Sequence, residues 1–212
     1  MTPIRRAFLD AASSTVALLS TDAVAAAWAK PSALDGMTVG GLAAHLASQV
    51  LYPARVLAAP EPDGEHLSLA EHYRRAAWLG ADLDADANVA IRAGSEASAT
   101  AGPAEIAAAA AAALESLRDG LPDAPDDRVV SPPSGAWTLS LDDHLLTRIM
   151  EMAVHGDDLA VSVGVATPEL PDDVIEPVLD LLVRIATRRH GQVAVLRTLS
   201  RSERSPETIA AF

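Results

Sequence analysis

The 212-residue chain contains no cysteine. That excludes disulfides, thiolate metal ligands and a protein thiol nucleophile, so thiol chemistry here would need a sulfur from a small molecule. Aromatic residues make up only 3% of the chain. The core must therefore come from Leu, Val, Ile and Ala, and alanine is the strongest helix former. Basic residues are scarce: 16 Lys and Arg face 29 Asp and Glu, for a formal net charge of -13. Such a surface repels phosphate backbones, which removes the usual driving force for nucleic-acid binding. Acidity also serves solubility. No uninterrupted apolar run approaches the roughly 18 residues of a membrane span. Gly-rich phosphate loops, nucleophile elbows and dinucleotide fingerprints are absent too. Arg5-Arg6 followed by an apolar stretch is faintly similar to a twin-arginine export signal, but Asp10 and Asp22 interrupt that stretch. The expectation is a cytoplasmic protein.

What is present reads as helix. The length suits one domain with at most a modest appendage. Helical spacing predicts a first helix over 3–29 and a second from Val39 to Ala59, capped by Thr38 and kinked at Pro53. A third helical region starts near Ser68, with Glu71 completing a capping box, and runs with an interruption to 99. Gly102-Pro103 opens a helix through the alanine tract to Leu121. Residues 122–137 read as a loop holding a short hairpin around Arg128-Val-Val130. Ser140 caps a helix ending near Gly164, and further helices span Asp172–His190 and Val193–Leu199. Four principal long helices with long crossovers make a bundle the expected architecture, and bundle interiors are common metal sites. Residues 1–165 form the bundle in this reading, with 166–212 a helical extension packed on the same domain.

The helix after Ser140 carries the most informative pattern. Each residue turns a helix by about 100°, so His144, Arg148, Glu151, His155 and Asp158 fall on one narrow stripe. Leu145, Leu146, Ile149, Met150, Met152, Ala153, Val154 and Leu159 surround it. A helix this apolar is expected to be buried, and buried ionisable groups need a partner or a metal. Glu151 and His155, four apart, form half of a divalent-metal site. His45, set among Leu42, Ala43, Ala44, Leu46 and Ala47, is suited to supply a third ligand from a facing helix. Two imidazoles and a carboxylate leave one coordination position open, the arrangement of a catalytic zinc. Spacing alone leaves another reading open, in which Arg148 and Glu151 form an ion pair on a solvated face and His45 is a core histidine bonded to a carbonyl.

The other histidines are read differently. His66 and His72 lie six apart, about 240° on a helix, and cannot share a face. His72, among Glu71, Arg74 and Arg75, is assigned to a solvated face. His144 is two turns from Glu151, too far to ligate with His155, and is read as lining the pocket or the helix entrance. His190 is read as an exposed residue at a helix C-terminus. Asp157 and Asp158 follow a glycine; either Asp158 orients a ligand imidazole through its far nitrogen, or both belong to a solvated turn.

Two segments carry a family resemblance. Met37-Thr-Val-Gly-Gly-Leu42-Ala-Ala-His45-Leu46-Ala47 resembles the G-W-T-V-x-x-L-x-x-H-L-A stretch of the mycothiol-dependent maleylpyruvate isomerase family, one of the DinB-like metal-binding bundles. Trp137-Thr-Leu-Ser140, continuing through Arg148-x-x-Glu151-x-x-x-His155-x-x-Asp158-Leu-Ala160, resembles that family's R-x-x-E-x-x-x-H-x-x-D-L-A helix. Arg188-Arg-His-Gly191 and Val195-Leu-Arg-Thr-Leu199-Ser-Arg201 are similar to bacterial members. The resemblance implies a mainly all-α, DinB-like four-helix bundle with a short C-terminal helical appendage. It implies a divalent metal, typically zinc, on His45, Glu151 and His155, and mycothiol as thiol cosubstrate. Met37 replaces the usual tryptophan, which bears on packing rather than ligation. The chain is also expected to lack a full C-terminal domain like that of some family isomerases, together with substrate-binding groups supplied there.

These features point to a metal-dependent enzyme that uses a low-molecular-weight thiol for isomerisation or thiol transfer on a small electrophile. An anionic substrate would want a guanidinium, for which Arg148 is the first candidate and Arg75 the second. A zinc-dependent hydrolase and a non-catalytic metal- or ligand-binding bundle are the alternatives. The expected partners are the small substrate and the thiol, with no nucleic acid or membrane, in a monomer or homodimer.

Overall fold

The computed structural model describes residues 1–77, 79–133 and 137–211. Helix α1 (Pro3–Leu19) and α2 (Asp22–Ala27) replace the single first helix expected over 3–29. The break has a local cause. Ser20 Oγ folds back onto the Val16 carbonyl, and the Thr21 side chain accepts from Val24 N and restarts the chain as an N-cap. Helix α3 (Val39–Ala58) begins at Thr38, whose hydroxyl accepts from Gly41 N at 2.9 Å, and carries Pro53 within it.

The third helical region is also divided, into α4 (Leu69–Arg75) and α5 (Asp86–Ala99). Gly80, with φ 72°, lies between them in a conformation that L side chains rarely adopt. Helix α6 (Pro103–Gly120) holds the alanine tract. Helix α7 (Leu141–Val163) starts at Ser140, whose hydroxyl accepts from Asp143 N, and stops at left-handed Gly164. Helices α8 (Asp172–His190) and α9 (Gln192–Ser200) complete the set, followed by a short 3-10 turn over Ser202–Arg204.

Helices α1, α3, α6 and α7 pack as the bundle, with α5 laid against α3, α8 against α1 and α7, and α9 in contact with α8. The core is aliphatic as composition requires: Leu42, Leu46, Leu117, Leu145, Ile149 and Leu159 are fully buried. Among the described residues, no helix is long and apolar enough to cross a membrane.

A small sheet accompanies the bundle. Strand β3 (Trp137–Ser140) lies between β1 (Glu65–His66), which is parallel to it, and β2 (Val129–Val130), which is antiparallel. Val130 pairs with Leu139, so the hairpin expected near Arg128-Val-Val130 forms, although residues 134–136 of that loop lie outside the described residues. Because β3 ends at the N-cap of α7, the sheet sets where the motif helix begins.

Arg5 is fully buried. Its Nε donates to Asp142 Oδ1 at 2.9 Å, Nη1 to the Ala124 carbonyl and Nη2 to the Pro125 carbonyl. One guanidinium thus ties α1 to the loop after α6 and to the first turn of α7.

Candidate metal centre

Helix periodicity places Glu151 and His155 one turn apart on α7, and α3 brings His45 to them from across the bundle. One ligand atom from each of the three lies within 4.8 Å of the others. His155 Nε2 stands 3.2 Å from Glu151 Oε2, and His45 Nε2 stands 3.9 Å from the same oxygen. The two imidazoles meet nearly perpendicular, with centroids 4.8 Å apart. Metal–ligand bonds of about 2.0–2.1 Å at tetrahedral angles separate neighbouring donors by about 3.3 Å, so the spacing suits a small cation. Each side chain keeps between 14 and 19% of its surface exposed, which leaves the cluster accessible to a ligand.

The far nitrogens decide which way the lone pairs point. His155 Nδ1 lies 2.9 Å from Asp158 Oδ2. A carboxylate only accepts, so Nδ1 carries a proton; in the neutral ring Nε2 presents a lone pair toward Glu151, and in the imidazolium it donates to Glu151. Two acceptors facing each other at 3.2 Å require a cation between them, a proton or a metal. For His45, Nδ1 faces Ser95 Oγ at 3.5 Å, and Ser95 donates its own proton to the Ile91 carbonyl. Gln49 Nε2 donates to the His45 carbonyl at 2.9 Å and to Ser48 Oγ at 3.0 Å, and passes 3.4 Å from His45 Nε2. Both Nε2 atoms thus turn toward Glu151 Oε2, where each can donate to it when protonated or offer a lone pair to a cation when neutral.

Helix α5 reaches His45 through a specific junction. The Glu96 carboxylate accepts from Thr38 N at 2.7 Å and from the Thr38 hydroxyl. A Cβ at Gly41 would collide with that carboxylate, so the glycine lets α5 approach the start of α3 and brings Ser95 alongside His45.

Charge follows geometry. Burial would raise the Glu151 carboxyl, but hydrogen bonds from His155 and His45 and the nearby Arg148 charge hold it well below the usual range. Burial would lower His155, but Asp158 and then Glu151 outweigh it and push the imidazolium up to about 9. Without a metal, the cluster binds a proton tightly at its centre.

Arg148 lies one turn before Glu151 on α7. Its Nη1 donates to Gln49 Oε1 at 2.6 Å, its Nε to Thr147 Oγ1 at 2.9 Å, and its Nη2 lies 3.9 Å from Glu151 Oε1. A largely buried guanidinium therefore sits beside the cluster with neutral hydrogen-bond partners. His144, one turn further back, is fully buried, with neither ring nitrogen hydrogen-bonded among the described residues and its ring edge-on to Tyr52. Burial, then Arg148, then His72 hold it well below its ordinary pKa, so the ring is neutral.

Arg75 is not brought to the cluster. It makes a bidentate pair with Glu65, a further bond to Glu71, and lies over the Trp137 ring on the protein surface. Asp157 is likewise turned away, accepting from Thr167.

His72 corrects the solvated-face expectation. It is 4% exposed and accepts at Nδ1 from Trp137 Nε1–H at 3.1 Å. Burial, then the Arg148 charge, lowers it to about 4 despite Glu151. His72 and Tyr73 form the inner face of α4, which a reading centred on Glu71, Arg74 and Arg75 hides. Gln49, Tyr52 and Ser95 were missed as well. Gln49 and Tyr52 follow His45 by four and seven, a helical stripe that could have been read from spacing. Ser95 carries no such signal.

Comparison with known proteins agrees with this architecture. The family model described as the mycothiol maleylpyruvate isomerase N-terminal domain matches residues 9–160. A crystal structure of the mycothiol-dependent maleylpyruvate isomerase covers 89% of this chain and 69% of its own at 18% identity, with a TM-score of 0.49. A histidine-to-alanine mutant of that isomerase gives the same coverage and identity, with a TM-score of 0.50. At that identity the likeness speaks to fold alone. No curated protein matches. The profile match spans most of the chain, from α1 through α7: the chain belongs to the mycothiol maleylpyruvate isomerase N-terminal domain family.

Proposed function

We propose that this protein is a metal-dependent enzyme that uses a low-molecular-weight thiol, mycothiol, to isomerise or thiolate a small electrophilic substrate. One observation carries the reading. His155 Nε2 and His45 Nε2 converge on Glu151 Oε2, at 3.2 and 3.9 Å. His45, Glu151 and His155 hold a divalent cation, zinc by ligand type. Bound there, the cation supplies Lewis acidity that keeps a thiol sulfur deprotonated at neutral pH. The family name supports mycothiol as the source of that sulfur, and a chain without cysteine supplies none of its own.

The protein's own residues have separable tasks. Asp158 fixes the His155 tautomer and aims its lone pair inward. Gln49 bridges the His45 carbonyl and Arg148, so the ligand-bearing α3 and the charged stripe of α7 are held in one register. Arg148 binds an anionic group of the substrate beside the metal. Neutral His144 and His72 add no competing positive charge beside it. Residues 1–165 form the catalytic bundle in this proposal, 166–212 its packed extension, and the enzyme works in the cytoplasm.

A hydrolase that activates water with a metal and a carboxylate base would draw that base from a nearby acid. The acids that follow the cluster on α7 are committed, Asp158 to His155 and Asp157 to Thr167. The thiol reading needs no such base.

The test is elemental analysis followed by turnover with and without mycothiol. One divalent ion per chain is expected, lost together with thiol-dependent turnover in His155→Ala. Metal content unchanged in that variant removes the site, and metal-dependent hydrolysis without thiol replaces the reaction.

A further inference from the structure

Helix α8 presents an unusual outer surface. Leu179 and Val183, one turn apart, are 52% and 39% exposed, although Val174, Val178, Leu181 and Ile185 already fill the helix's inner face. Its apolar arc is therefore wider than the bundle it packs against. Glu176, Asp180 and Arg184, each four residues apart and all exposed, run alongside the Leu179–Val183 stripe on one flank. None of these three charges forms an ion pair among the described residues. The helix dipole accounts for charges in the end turns, but not for these mid-helix residues or for two exposed aliphatic side chains.

We propose that this face of α8 is a homodimer interface, occupied by α8 of a second copy running antiparallel across a two-fold axis at about Leu181. The charge order argues for that occupant. In an antiparallel pair Leu179 of one copy opposes Val183 of the other, and the same flank of each helix meets at opposite heights. Glu176 and Asp180 of one copy then face Arg184 of the second, and the two-fold repeats the contact. In a parallel pair the two-fold would put this flank of the two copies on opposite sides of the seam, so Glu176 and Asp180 of one copy could not meet Arg184 of the other. The surface is complementary to itself in one orientation only.

The experiment is light scattering and sedimentation of the full chain over a concentration series, at low and high salt. Particles of twice the 22.0 kDa chain mass are expected, dissociating more readily in salt. Leu179→Glu is expected to give monomer with an unchanged circular dichroism spectrum and Tm. Arg184→Glu is expected to raise the dimer Kd about tenfold or more, roughly one interfacial ion pair. Combining it with Glu176→Arg and Asp180→Arg reverses the order of charges and is expected to restore the dimer. Monomer up to millimolar concentration overturns the proposal. So does a dimer insensitive to Leu179→Glu, or a monomer that binds anionic vesicles through this face.

Discussion

His155 Nδ1 lies 2.9 Å from Asp158 Oδ2, three residues on along α7. In the proposed metal site this bond would prepare His155 as a ligand. It holds the ring proton on the nitrogen away from Glu151, so the other nitrogen can receive a cation. It also raises the pKa of the ring, so a proton competes with any metal for the same place.

Asp158→Asn is therefore expected to keep the fold but lower metal affinity about tenfold to a hundredfold, the usual cost of removing an outer partner of a ligating histidine. Chelator competition measures this. An affinity within a factor of two of wild type would show that Asp158 does not orient the ring.

If the proposed site takes up a metal, the elevated His155 pKa is expected to make that uptake depend on pH. Below about 9 the ring is protonated and must release its proton to bind metal. Apparent affinity is expected to rise about tenfold per pH unit toward 9 and then level off. The same shift governs the metal-free fold. A pKa raised above its unfolded value stabilises the fold fully below about 6.5, and that stability is lost as pH rises through about 9. Calorimetry of chelator-treated protein against His155→Gln is expected to show the advantage of wild type shrinking across that window.

Arg148→Lys separates binding from ligation. Lysine keeps the charge but loses the fork that engages Gln49 and Thr147. Metal content is expected to be unchanged while KM for an anionic substrate rises about tenfold or more. Loss of the metal in this variant would make Arg148 a support of the cluster instead.

Arg5→Ala is expected to cost about 3 kcal/mol, because it leaves the Ala124 and Pro125 carbonyls and Asp142 without their partner. Urea denaturation measures it, and metal affinity of the folded fraction is expected to be unaffected.

How much of this the sequence shows depends on the range of the interaction. The α7 stripe was legible because Arg148, Glu151, His155 and Asp158 relate to one another by helix geometry alone. Thr38, Ser68 and Ser140 read as N-caps and act as N-caps for the same reason. The approach of α3 followed from the small apolar neighbours of His45, which have no use on a solvated helix. What stayed hidden depends on long-range contacts. The burial of His72 is set by Trp137, 65 residues away. The placement of Ser95 is set by Glu96 meeting Thr38 across a side-chain-free Gly41. The break between α1 and α2 was local, but two hydroxyls at Ser20 and Thr21 outweighed an apolar period that ran past them.

X-ray absorption on the zinc-loaded protein, before and after mycothiol, tests the central claim most directly. The account predicts two imidazoles among nitrogen and oxygen donors at about 2.0–2.1 Å. Mycothiol then adds one sulfur at about 2.3 Å, and in a chain without cysteine that thiolate can only be the added thiol's. A zinc spectrum without imidazole scattering, or one that His45→Ala leaves unchanged, would contradict it.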